Sequence, residues 1–158
     1  MCPENDRSLN ETFFKLRRYQ PGDSEALSAI CRQSPGAAQW SKESYEQAHS
    51  SGQIVLVAHS NGEIWGFLVA RITADEVEIL NTAVEPAHRR NGIGSLLLTA
   101  AISTAQAHNA QTIYLEVRES NGIAIAFYVK HGFAKSAERR AYYASPTENA
   151  VVMKKLTG

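Results

Sequence analysis

Val84-Glu85-Pro86-Ala87-His88-Arg89-Arg90-Asn91-Gly92-Ile93-Gly94-Ser95-Leu96-Leu97-Leu98 reads as the end of a strand, a short basic turn, and a helix that opens on Gly92-Ile93-Gly94. Glycine admits a positive φ where the turn needs one and lets backbone N–H groups approach a ligand with no Cβ in the way. A helix start carries N–H groups without intrahelical acceptors and about half a positive charge from the dipole, which suits phosphate. Arg89 and Arg90 add charge beside it. Alone, a Gly-x-Gly is equally consistent with a plain tight connection between strand and helix. A P-loop would need GxxxxGK[ST], a string the chain does not contain. A dinucleotide site would need a third glycine where Leu97 stands.

Upstream, Phe13 to Tyr19 is a first strand, stopped by Gln20-Pro21-Gly22. Asp23 or Ser24 can cap a helix running through about Arg32, and Ser41 can cap a second. Gln53 to His59 and Ile64 to Ile72 are strands joined by Asn61-Gly62, the strongest short hairpin signal. A turn near Ala74-Asp75 leads into a third strand, Val77 to Val84. These strands form an antiparallel meander, not the βαβ unit of a dinucleotide fold.

Downstream, a helix is expected from about Ile93 to His108, with Ile93, Leu96, Leu97, Ala100, Ala101 and Thr104 on its inner face. Thr112 to Val117 is the next strand, and strand–helix–strand implies a parallel crossover. Ser120 or Asn121 caps another helix through Lys130, with Ile123, Ala126, Phe127 and Lys130 as its stripe and Tyr128 beside it. His131-Gly132 closes it. Phe133 to Arg140 and Ala150 to Lys155 form a hairpin around Tyr142-Tyr143-Ala144-Ser145-Pro146. The expected class is α/β, a mixed sheet in the order β-α-α-β-β-β-α-β-α-β-β with helices on its faces.

The chain has 158 residues, enough for one domain with a real core. Residues 12–158 are expected to form it, after a polar tail, Met1 to Glu11. Lys+Arg and Asp+Glu balance at 16 each, so direct nucleic-acid binding through a basic excess is not expected. Cys2 and Cys31 lie far apart with no CxxC, and Cys31 reads as a small buried hydrophobe. None of the five histidines has ligand spacing such as HExxH, so no metal is expected. No apolar run approaches membrane-spanning length, and Met-Cys-Pro-Glu-Asn-Asp lacks the pattern of a signal peptide; a cytoplasmic protein is the expectation.

The wider context of the glycine turn is more specific. Arg89-x-x-Gly92-x-Gly94 after Thr82-Ala83-Val84-Glu85-Pro86 resembles motif A of the GNAT N-acetyltransferases. Leu115-Glu116-Val117-Arg118-Glu119-Ser120-Asn121, Ala126-Phe127-Tyr128 and Gly132-Phe133 continue the likeness. The wording is most similar to the RimI-type branch, and Arg139-Arg140-Ala141-Tyr142-Tyr143 also resembles that branch's closing-hairpin segment. The resemblance spans roughly Trp40 to Met153. It implies the GNAT acyl-CoA N-acyltransferase fold and acetyl-CoA as co-substrate. As acceptor it implies a protein N-terminus, that of the branch being the N-terminal alanine of a small-subunit ribosomal protein.

The implied reaction is attack of an amine on a thioester, and only the neutral amine is nucleophilic. An α-amino group, with a pKa of about 8, costs roughly 1 kcal/mol to deprotonate at pH 7, against about 4.6 for lysine. An N-terminal acceptor therefore needs only a modest base, acting directly or through water. Alternation puts Ile113, Leu115 and Val117 on one face of their strand and Tyr114, Glu116 and Arg118 on the other. A solvated strand glutamate is the plain reading of Glu116. Flanking crossover helices would cover both faces, and the resemblance makes Glu116 the base. It makes Tyr128, otherwise a core aromatic, the general acid toward the leaving thiolate. It implies cofactor contacts from Thr82, Ala83 and Val84 to the pantetheine arm and from Arg89, Arg90, Asn91, Gly92, Ile93, Gly94 and Ser95 to the pyrophosphate. Asn121 would touch the cofactor as well as cap its helix. Tyr142 and Tyr143 would cover the acceptor.

The branch usually carries Pro-Trp before its second helix, where this chain has Gln39-Trp40. Two alternatives stand beside the main reading. One keeps the fold and changes the acceptor to a lysine side chain or small amine. The other is a non-catalytic acyl-CoA-binding module.

Overall fold

A computed structural model describes residues 13–157; the expected tail, with Cys2, lies outside the described residues. The elements follow the expected order: β1 (Lys15–Arg18), α1 (Ser24–Arg32), α2 (Lys42–Ser50), β2 (Ile54–Ser60), β3 (Glu63–Thr73), β4 (Glu76–Val84), α3 (Ile93–Ala107), β5 (Thr112–Arg118), α4 (Gly122–Lys130), β6 (Ala134–Tyr143) and β7 (Glu148–Leu156). Asn61 and Gly62 turn the β2–β3 hairpin with φ of 51° and 80°, the paired positive values of a type I′ turn. Asp23 occupies the N-cap position of α1 without capping it: its carboxylate accepts from Gln20 N and pairs with Arg17 at 2.7 Å. Ser41 caps α2 by accepting from Ser44 N.

The strands form one mixed sheet, β1-β2-β3-β4-β5-β7-β6. Among the described residues its only parallel pair is β4–β5, and that pairing covers just Glu76–Ile79 against Thr112–Leu115. The cause lies on the other edge of β4. Opposite β3, Val69 pairs with Asn81 and Ala70 with Ile79, so Leu80 is an extra residue in a bulge. A bulge bends and twists its strand, and from Leu80 onward β4 leaves β5. β5 stays paired with β7 along its whole length, through Arg118 and Ala150. The sheet thus splits into two leaves, β1–β4 and β5-β7-β6, open at the C-terminal ends of the two parallel strands.

Two cores result. Under α3 and α4, Leu68, Ile79, Ile93, Leu97, Leu98, Leu115, Val117, Tyr128 and Met153 pack into one cluster that spans both leaves. Under α1 and α2, Leu27, Cys31, Tyr45, Val57, Phe67 and Val69 pack into a second that involves only the first leaf. On the second leaf the same face carries Tyr114, Glu116 and Arg118.

The helix faces differ from expectation. The buried stripe of α3 is Ile93, Leu97, Leu98, Ala101 and Ala105, while Leu96 is exposed. On α4 only Tyr128 is buried, and Ile123 is 89% exposed. An i, i+4, i+8 row from Ile93 selects Leu97 and Ala101, and tertiary packing decides which neighbouring leucine joins it.

Candidate active site

The loop after β4 is built for close approach. Pro86–His88 makes a single 3-10 turn, Arg90 takes a φ of 66°, and Gly92 takes 83° at the N-cap of α3. The first intrahelical bond runs from Leu96 N to Gly92 O at 3.0 Å, so the N–H groups of Ile93, Gly94 and Ser95 have no acceptor within the helix. A Cβ at Gly94 would meet nothing nearer than Phe127 at 3.5 Å, so this turn presents bare backbone. Gly66 of β3 lets the helix start settle on the sheet: a Cβ there would stand 3.0 Å from Ile93 Cγ2 and 3.1 Å from Ala83 O.

Arg89 ties this loop to α1. Its guanidinium donates to Val84 O at 3.2 Å and to Ser34 Oγ at 3.1 Å. Arg90 and Asn91 are exposed beside Gly92. Ser95 faces His131, whose Nε2 lies 3.1 Å from Ser95 Oγ while Nδ1 lies 2.8 Å from Phe127 O. A carbonyl only accepts, so the neutral ring carries its hydrogen on Nδ1 and accepts the serine hydroxyl at Nε2.

Thr82, Ala83 and Val84 pair with Leu68, Phe67 and Gly66 of β3, and their other edge borders the split. Across it, Asn121 caps α4, its Oδ1 accepting from Ala124 N at 3.2 Å. A Cβ at Gly36 would lie 2.5 Å from Asn121 Nδ2, so the α1–α2 loop reaches over to the α4 cap at this glycine.

Glu116 is the first residue of β5 past the last parallel pair. Among the described residues no helix covers its face, contrary to expectation, because α1 and α2 pack on the first leaf. The β6–β7 hairpin shelters it instead, and its side chain is 13% exposed. Arg139 Nε lies 2.8 Å from Glu116 Oε1, with the guanidinium 5.7 Å from the Tyr142 ring centre. Contact of the Tyr142 hydroxyl with this carboxylate, with partial desolvation, raises the Tyr142 pKa. Burial, and then the charge of Glu116, raises that of Tyr143.

Arg118 anchors the hairpin, pairing with Glu148 at 3.2 Å and lying 4.4 Å from the centre of the Tyr143 ring. A cleft of about 560 Å³ opens here between Tyr142, Tyr143 and Arg118 on one side and Pro35, Ala38 and Gln39 on the other.

Tyr128 lies on the opposite face of the second leaf, in the α3–α4 core, edge-on to Phe127 and Phe133. Burial alone pushes its pKa up to about 12. Glu116 and Tyr128 therefore face opposite sides of β5, and the split between β4 and β5 is the passage from one side to the other.

Residues 23–133 match the Acetyltransferase (GNAT) family. The chain belongs to the GNAT acetyltransferases. The acetyltransferase is 36% identical over 117 residues to the ribosomal protein bS18-alanine N-acetyltransferase of Haemophilus ducreyi, covering 72% of this chain and 81% of that one. Its identity to the enzyme of the same name from Escherichia coli K12 is 32% over 116 residues, 72% of this chain and 78% of that one. The crystal structure of the ribosomal-protein-S18-alanine N-acetyltransferase from Escherichia coli superposes with a TM-score of 0.82 at 27% identity, covering 92% and 95% of the two chains. The protein is an acetyl-CoA-dependent N-acetyltransferase with relatives of the RimI type. The donors at Ile93 to Ser95 and the bare backbone at Gly92 and Gly94 fit a pyrophosphate chemically.

Several site features had no assigned role in the sequence reading. Asn81 interrupts the apolar alternation Val77, Ile79, Ala83 of the sequence and is 4% exposed, which is the available signal; past the bulge it lies with Ala83 in the core under α1 and α2, while Val77 and Ile79 face the other core. Gly66 inside a strand pattern also signalled close backbone approach. The Arg139–Glu116 pair had no local signal, since its partners meet only through the β6–β7 fold.

Among the described residues, no group of three His, Cys, Asp or Glu side chains is placed to hold a metal ion.

Proposed function

We propose that the enzyme transfers the acetyl group of acetyl-CoA to the α-amino group of a protein N-terminus, the N-terminal alanine of a small-subunit ribosomal protein. Glu116 is the base and Tyr128 the hydrogen donor to the leaving sulfur. The observation that carries this reading is that Glu116 follows the last β4–β5 pair on one face of β5 while Tyr128 lies in the core against the other face. A thioester lying through the β4–β5 split has an amine-side face toward Glu116 and a sulfur side toward Tyr128. The names of the relatives support the acceptor class.

In this reading the backbone donors of Ile93, Gly94 and Ser95, with Arg90, Asn91 and Gly92 beside them, hold the pyrophosphate. Arg89 acts through the loop it ties down. Thr82, Ala83 and Val84 offer the free strand edge to the pantetheine amides, as a sheet edge accepts a further strand. Asn121 contacts the cofactor from the α4 cap, and Tyr142 and Tyr143 close over the acceptor.

Glu116 takes one proton from the acceptor ammonium. The amine forms the C–N bond, the C–S bond breaks, and the thiolate leaves beside Tyr128. With Tyr128 at about 12, full transfer of its proton to a thiolate of ordinary basicity near 8.5 would run uphill by roughly 5 kcal/mol. Its hydroxyl thus serves chiefly as a fixed hydrogen-bond donor to sulfur as charge develops. The second nitrogen proton completes the thiol.

The test is thiol release from acetyl-CoA with a panel of peptides differing at the first residue, each compared with a lysine whose α-amino group is blocked. Alanine-first ribosomal-protein peptides are expected to react fastest; equal rates on a lysine side chain whose α-amino group is blocked would remove the N-terminal reading. Glu116→Gln and Tyr128→Phe should each lower turnover ten-fold or more while acetyl-CoA still binds by calorimetry. A mutant pair with intact affinity and native turnover would instead refute the chemistry.

A further inference from the structure

The carboxylate read as the base is already engaged by a cation of the chain itself. Arg139 Nε stands 2.8 Å from Glu116 Oε1, yet the Arg139 side chain is 57% exposed while that of Glu116 is 13% exposed. A positively charged N–H group therefore has direct access to this oxygen, with room for a first-contact hydrogen bond and no intervening water. That is the approach an acceptor ammonium needs.

The segment carrying Arg139 is loosely held. β6 pairs with β7 at Arg139↔Ala150 and next at Tyr143↔Glu148, so Arg140, Ala141 and Tyr142 stand opposite Asn149 alone. Ala141 takes a φ of 51°, and its N–H is held by the Asn149 side chain rather than by a ladder carbonyl. Such an irregular stretch can shift without breaking the regular pairing on either side of it. The guanidinium lies 5.7 Å from the Tyr142 ring centre while it is paired with Glu116, so that contact need not be lost when the ion pair opens.

We propose that Arg139 is a positioning residue that holds the place of the acceptor ammonium at Glu116, and that the acceptor binds as its ammonium by displacing it. The inference rests on the reading of Glu116 as base and sharpens it: proton transfer from the amine to Glu116 is direct, with no relay through water. One N–H proton passes to the carboxylate, leaving a neutral amine and a carboxylic acid at hydrogen-bond distance. The charge pair lost is the same kind as the one displaced, so exchanging Arg139 for the acceptor leaves the carboxylate paired throughout. An acceptor without a cationic nitrogen has no means of evicting the arginine.

The test is steady-state kinetics on an alanine-first peptide at saturating acetyl-CoA. Arg139→Gln removes the competitor, and the acceptor KM should fall three-fold or more, with a much smaller change in kcat. Arg139→Lys supplies another cation and should return the KM toward the native value. The KM for acetyl-CoA, unchanged in both, reports that the fold is intact. A higher or unaltered acceptor KM in Arg139→Gln would overturn the proposal, as would failure of lysine to restore it. Glu116→Gln separates this from the underlying reading: native kcat there removes Glu116 as base, whatever the Arg139 variants do.

Discussion

Tyr45 of α2 donates its hydroxyl to Asn81 Oδ1 of β4 at 2.8 Å, inside the core under α1 and α2. Asn81 Nδ2 in turn donates to Ala38 O at 2.7 Å, and Cys31 Sγ reaches the same carbonyl at 3.0 Å. Two helices, the bulged strand and the loop walling the cleft are joined at one buried polar point. Burial raises the Tyr45 pKa far above the ordinary range, so the hydroxyl remains a donor.

Tyr45→Phe removes one donor and leaves a buried carboxamide oxygen unpaired, which costs about 1–3 kcal/mol. For a domain of this size each kcal/mol moves the midpoint by roughly 2–4 °C, so thermal unfolding should fall by several degrees. The loop at Ala38 loses part of its anchor, and the acceptor KM should rise more than the acetyl-CoA KM. Equal changes in both would show that the network does not orient the cleft wall.

Gly66→Ala tests how tightly α3 sits on the sheet. The added methyl would meet Ile93 Cγ2 at 3.0 Å, Ala83 O at 3.1 Å and Val84 Cγ2 at 3.3 Å. In an open strand, alanine for glycine would stabilise slightly; here overpacking should cost about 1–3 kcal/mol. The contacts strike the strand end and the first residue of α3, so acetyl-CoA affinity by calorimetry should weaken several-fold. Unchanged affinity would mean that the helix start shifts without disturbing the cradle.

The order of all elements was legible because each boundary carries its own signal: Asn61-Gly62, Gly92, Asn121 and Gly132 act through local backbone chemistry. Which side of a helix is buried was less so. Leu96-Leu97-Leu98 is apolar throughout, and periodicity cannot choose between Leu96 and Leu98. α4 is apolar on nearly every side, and only packing selects Tyr128. The split had no local signal at all, because the bulge at Leu80 exists only relative to its partner strand. The same holds for the shelter over Glu116, which comes from Arg139 and Tyr142, distant in the chain. Local chemistry marked the element boundaries, the resemblance nominated Glu116 and Tyr128, and long-range pairing set where they lie.

Gly94→Ala separates the two roles glycine has in the turn. Gly92 is held at a φ of 83°, where a side chain is strained, whereas Gly94 lies within α3 and its added methyl would meet Phe127 at an ordinary 3.5 Å. Alanine also suits a helix better by roughly 1 kcal/mol. Gly94→Ala should therefore leave the unfolding midpoint unchanged or slightly raised while, on the proposed role of this turn, weakening acetyl-CoA binding at least several-fold by adding bulk beside the backbone donors. Gly92→Ala should lower both. Full acetyl-CoA affinity in Gly94→Ala would place the pyrophosphate elsewhere.

Tyr128 supplies a prediction at alkaline pH. Its pKa is about 12 in the fold because burial disfavours the phenolate, and about 10 in an unfolded chain. Between these values the folded state keeps a proton that the unfolded state has lost, so stability falls as pH rises through this window and is complete below pH 10. The two-unit difference corresponds to about 2.7 kcal/mol. Tyr45 shifts in the same direction and contributes a similar loss that persists in a Tyr128 variant. Urea midpoints measured from pH 9 to 11.5 should therefore decline less steeply in Tyr128→Phe than in the native enzyme. In the role proposed for Tyr128, the same ionisation state matters to turnover: the hydroxyl remains a donor throughout the neutral and mildly alkaline range. No loss of kcat below about pH 10 should be traceable to it, and the rate deficit of Tyr128→Phe should be constant from pH 7 to 9.5. A deficit that vanishes near pH 9 would mean that Tyr128 titrates there as a free acid, and that burial does not hold its proton.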